Sequence, residues 1–148
     1  MNTQEYLSQA YLLEQQVQSK LAQIESLKSL ASYMTARPTD QEPVSHTRNV
    51  HAMEDTVLKI LEANQELDAQ IDALVDKKLE IASVISRVED VECRLVLEKR
   101  YLTFEKWEEI AVDLHYSVRT VQRIHGRALE VVQGILDQSD MPLVRQSQ

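Results

Sequence analysis

The chain has 148 residues, a formal net charge of −8, two glycines, three prolines and one cysteine; rich in strong helix formers and poor in sheet punctuation, it reads as all-α. Cys93 is alone and cannot form an intrachain disulfide, the opening stretch MNTQEYLSQ lacks the basic and apolar regions of a secretory signal, and no apolar run approaches the ~18–20 residues that span a bilayer, so a cytoplasmic protein with no membrane partner is expected. Acidity is uneven: residues 1–93 hold 8 Lys and Arg against 16 Asp and Glu, whereas residues 94–134 hold 7 against 6, so the charge that would repel nucleic acid lies outside the C-terminal third.

Tyr6, Ala10, Leu13, Val17, Lys20, Ile24, Leu27, Ala31 and Met34 step by four and three without a break, and only Lys20 is not apolar. Such a seam belongs to a helix packed lengthwise on another helix. The pattern stops at Pro38, and the stretch to Asn49, with two prolines and many small polar residues, reads as a loop over about 37–49. The seam resumes as Val50, Met53, Val57, Ile60, Asn64, Leu67, Ile71, Leu74, Lys78, Ile81, Ile85 and Val88. Residues 1–87 are therefore expected to form a long, coiled-coil-like helical hairpin. Leu7, Leu21, Leu61, Val75 and Ala82 widen the stripes beyond a two-helix contact, which points to self-association, a dimer being favoured. The expected oligomer seam is Val57, Ile60, Asn64, Leu67, Ile71 and Leu74, with the Asn64 amide fixing register.

Beyond Val88 a more compact pattern predicts three helices within a module at 88–136, leaving 137–148 as a flexible tail. The first runs over about 89–101, burying Val91, Leu95 and Leu102; the second over about 105–114; the third over about 118–132. Ile110 and Leu114 on the second helix and Val121 and Ile124 on the third are spaced to face inward, and Ala111 is small enough for a close helix crossing. Tyr116 is placed to cover the turn, and Ser117 is a good N-cap for the third helix. These are the parts of a helix-turn-helix. His115 stands where the turn needs a positive φ and glycine is common.

The run Glu108-Glu109-Ile110-Ala111-Val112-Asp113-Leu114, then Tyr116-Ser117, Arg119-Thr120-Val121 and Arg127-Ala128-Leu129, resembles region 4 of sigma-70-type factors, the module that reads the promoter −35 element. That likeness covers about residues 94–132 and extends to no other sigma region. As a whole, the chain is similar to small phage and prophage late transcriptional regulators of the ArpU and RinA type. The resemblance implies double-stranded DNA as partner and RNA polymerase as a second one.

Within residues 117–129 there are three arginines and no acid. If the third helix enters the major groove, Arg119, Gln122 and Arg123 are the base-reading candidates, since arginine and glutamine pair bidentately with guanine and adenine edges. Ser117, Thr120, Arg127 and Lys106 are the candidates for phosphate, which positions the helix without reading sequence. Two other readings share this plan: a small-terminase-like DNA-packaging recognition subunit, and a coiled-coil protein-interaction adaptor. No histidine pair has metal-ligand spacing, and no phosphate loop or nucleophile arrangement occurs. Neither catalytic residues, nor a metal, nor a cofactor is expected.

Overall fold

The computed structural model describes residues 1–36 and 43–140, and every regular element among them is a helix. In chain order these are α1 (Thr3–Leu7), α2 (Gln9–Ala36), α3 (Pro43–Ser86), α4 (Val91–Tyr101), α5 (Trp107–Leu114) and α6 (Val118–Asp140). The protein is thus all-α, with two long helices ahead of a three-helix module. Part of the expected loop is helical, because Pro43 opens α3 at a position where its missing N–H costs nothing; residues 37–42 lie outside the described ones. The third helix of the module runs on to Asp140, eight residues past the expected end, and the remainder of the expected tail, residues 141–148, is outside the described residues.

Contacts divide the chain into two units, Leu13–Ala73 and the set formed by Met1–Leu12 with the chain from Leu74 onward. In the first, α2 and α3 run antiparallel: Lys20 Nζ lies 2.6 Å from Glu66 Oε2, and Thr56 Oγ1 lies 4.0 Å from Met34 Sδ. On α2 the buried residues, Val17 and Ile24, are seam positions read from the sequence. On α3 the least exposed positions are Met53, Thr56, Ile60, Ala63, Leu67, Gln70 and Leu74. Ile60, Leu67 and Leu74, members of the expected oligomer seam, lie on the same less exposed side as Thr56, Ala63 and Gln70, whereas Val57 and Ile71 stand on the neighbouring side of the helix. Val57 and Ile71 are exposed and Asn64 is half-buried. The inner seam is a poor one, for the side-chain oxygen of Gln70 is buried without a hydrogen-bond partner.

The second unit is built around α6, whose apolar side (Val121, Ile124, Ala128, Val132, Ile135) is buried along its whole length. Onto it pack α4, α5 and α1. The α4 residues that face inward are Cys93, Val96, Leu97 and Tyr101, whereas Val91 and Leu95 are exposed and Leu102 is half-buried. Apolar residues lie on several sides of this helix, so periodicity alone did not choose the buried face; packing on α6 and α5 does, while Asp90 caps the helix by accepting the Cys93 N–H at 3.1 Å. Helix α1, capped by a reciprocal Asn2–Glu5 box, closes the far end of α6: Leu7 and Ala10 are fully buried, and the Thr3 hydroxyl hydrogen-bonds the Gln133 side chain. The compact module is therefore larger than 88–136. It takes in the first twelve residues and the end of α3, where Ile81, Ile85 and Val88 are buried.

Candidate nucleic-acid interface

Helix α5 carries Ile110 and Ala111 into the core and ends at His115, whose φ of 60° and ψ of 39° place it in the left-handed region. That conformation reverses the chain within three residues, and the Tyr116 N–H bonds the Ala111 carbonyl across the turn at 3.0 Å. Ser117 then caps α6, its hydroxyl accepting the Thr120 N–H at 3.1 Å. Tyr116 is exposed over the turn, and its phenol donates to Glu92 Oε2 at 3.1 Å. Each local device expected of a helix-turn-helix is present, and the second helix is fixed at its first residue.

What α6 shows outward follows from its phase. With Val121, Ile124, His125 and Ala128 buried, Arg119, Gln122, Arg123, Gly126 and Arg127 are exposed. No acid lies within ion-pair distance of Arg119, Arg123 or Arg127 among the described residues. Other cations of this unit are occupied: Arg94 pairs with Glu98 at 3.9 Å, Lys99 with Asp113 at 3.2 Å, and Arg100 stacks on Trp107 at 4.4 Å while donating to the Glu105 carbonyl. Three like charges one turn apart on a single helix repel one another. Such an arrangement costs stability and presents an unsatisfied positive face.

Thr120, Arg123 and Arg127 line a depression of about 320 Å³ together with Tyr116, Ile124 and Glu92. Ser117 is exposed at the head of α6, beside Thr120. Lys106 stands apart: it is the N-cap residue of α5, a helix length from the turn, and lines a different depression with Arg100, Phe104 and Tyr11. Glu92 and Gly126 were not legible as site residues. Glu92 reaches the basic face only because α4 packs beside α6. Gly126 sits mid-face between Gln122 and Arg127, and a Cβ there would meet nothing within 4 Å, so no packing within the chain requires its bare backbone.

Behind the face, His125 anchors α6. Its Nε2 lies 2.6 Å from the Tyr101 hydroxyl, and Trp107 meets its ring edge-on at 4.7 Å. Burial, with the Arg100 charge adding to it, pushes the imidazole down to about 4, and burial raises the Tyr101 phenol to about 12. The ring is therefore neutral at pH 7 and shares a hydrogen bond with the phenol. Because its folded pKa lies below the usual 6.5, this group's contribution is complete above about pH 6.5 and is lost as pH falls toward 4, up to about 3 kcal/mol in all. Urea midpoints between pH 7 and pH 4.5 should fall more steeply in the native protein than in His125→Gln; parallel curves would show that the ring titrates normally.

Among the described residues there is no cluster of three or more metal-ligating side chains, and no helix is long and apolar enough to cross a membrane. No curated protein and no solved structure matches the chain. Residues 42–133, which hold all of α3, α4 and α5 and the first two-thirds of α6, match the model of the family described as a protein of unknown function, DUF1492. The chain belongs to the DUF1492 family.

Proposed function

We propose that this chain is a sequence-specific, double-stranded-DNA-binding transcriptional regulator of the phage and prophage late-regulator kind that ArpU and RinA typify, acting in the cytoplasm as a self-associated protein. The observation that carries the reading is the row of Arg119, Arg123 and Arg127, exposed and without an acidic partner on a helix capped by Ser117. Phosphate and base edges are the chemistry that satisfies such a row, and the local charge outweighs the remote acidity because screening limits each charge to about 10 Å at ordinary salt. Arg119, Gln122 and Arg123 read bases, Ser117, Thr120 and Arg127 hold phosphate, and the bare Gly126 lets the helix sit close to the duplex. Lys106 serves the backbone from the far end of α5. RNA polymerase is the second partner this reading names, and no catalytic step is assigned.

Selection of bound fragments from the source genome tests it. Fragments clustered at a promoter, held with an affinity that falls steeply with salt, are the expected result. Clustering at a packaging site would replace transcription with the terminase-like reading, and absence of any salt-dependent binding would leave the protein-interaction reading.

A further inference from the structure

Helix α3 carries a second apolar stripe that stays exposed among the described residues. Val57, Leu61, Asn64, Asp68, Ile71 and Val75 step by 4, 3, 4, 3 and 4 along it. Its apolar members are 44%, 53%, 38% and 48% exposed in that order. Thr56, Ala63 and Gln70 alternate with Ile60, Leu67 and Leu74 on the less exposed side of the helix, while the aliphatic Val57, Leu61, Ile71 and Val75 face out. A helix that gives its inner seam an unpartnered amide oxygen and shows its branched aliphatics to water is disposed for an external partner. On α2 the exposed leucines, Leu12, Leu21 and Leu30, are nine residues apart and alternate between opposite sides.

We infer that this stripe binds α3 of a second copy of the chain, antiparallel, about a two-fold axis level with Glu66. This deepens the self-association named above and is independent of the DNA reading. The register is set by complementarity. Turned end for end about residue 66, the stripe lays Val57 on Val75 of the second copy and Leu61 on Ile71, so apolar meets apolar throughout. The two polar positions also match, since Asn64 comes opposite Asp68 and its amide N–H donates to that carboxylate. One turn further out, Glu54 comes level with Lys78, whose ammonium lies 4.8 Å from the Phe104 ring centroid. A parallel pair in register would instead stack Asp68 on Asp68 along a helix already rich in acids, which is unfavourable. An isologous two-fold contact of this kind closes on itself and stops at a dimer.

Light scattering of the full chain at micromolar concentration should give a dimer. Leu61→Glu replaces an exposed side chain, so circular dichroism should be unchanged while dimerisation weakens at least tenfold. Leu61→Glu/Ile71→Lys brings opposite charges level across an antiparallel pair and should restore the dimer, whereas in a parallel pair it would set like charges together. A monomeric native protein, or a Leu61→Glu variant still dimeric, overturns the surface, and a double variant that stays monomeric overturns the antiparallel register. Salt-dependent DNA binding by such a monomer would leave the DNA reading standing.

Discussion

Leu7→Ala should destabilise the protein by about 2–5 kcal/mol, the usual cost of emptying a fully buried leucine site. The effect should be seen in the module that carries the α5–α6 turn, although Leu7 lies more than a hundred residues from it in sequence. The reason is that α1 packs on α6, with Thr3 bonded to Gln133 and Leu7 and Ala10 wholly out of solvent. Urea unfolding followed by the fluorescence of Trp107 measures it directly, because that ring lies against His125 on α6. Leu7→Met, which keeps volume, should lose less than about 1.5 kcal/mol. If Leu7→Ala unfolds at the native urea midpoint, α1 contributes nothing to the module. A fragment beginning near Val88 should for the same reason unfold at lower urea than the full chain.

The second large effect concerns DNA. Arg119→Ala and Arg123→Ala should each cost about 1–3 kcal/mol on the cognate duplex and relax preference at one base pair. Arg127→Ala should weaken cognate and scrambled duplexes alike and flatten the slope of log affinity against log salt by about one unit. Among the described residues none of the three side chains holds an ion pair, so their removal should leave thermal stability nearly unchanged or slightly raised. Titrations of the three variants on both duplexes across a salt series separate the roles. Equal, sequence-independent losses would reduce the face to a basic patch and remove base reading from α6.

Much of this was legible because it depends on neighbours in sequence. Ser117 as a cap, His115 at positive φ and Ile110 and Val121 as inward positions are local signals, and the structure bears each of them out. The face of α4 was not legible, because apolar residues lie on several of its sides and the choice falls to packing on α6 and α5. Nor was the rotation of α3: Val57, Asn64 and Ile71 recur every seven residues and so do Thr56, Ala63 and Gln70, and which of these two adjacent stripes meets α2 depends on helix rotation rather than on composition. The unit that joins residues 1–12 to the C-terminal module was hidden for a different reason. Leu7 read as a mere widening of the α2 stripe, and periodicity along one helix carries no information about a partner 120 residues away.

That closure also dictates an order of events when the chain is made. Leu7 leaves the ribosome more than a hundred residues ahead of the α6 surface on which α1 packs, where Thr3 is bonded to Gln133. Until that stretch has emerged, α1 lacks its packing surface on α6, and its five residues are too few to hold helical structure alone. The hairpin can form from contacts already in hand, whereas the module waits for nearly the whole described chain, and the loop it must close is among the longest available to it. A nascent chain stalled before α6 therefore carries an exposed, unfinished core, and the module's helices gain their common packing partner only when α6 has emerged.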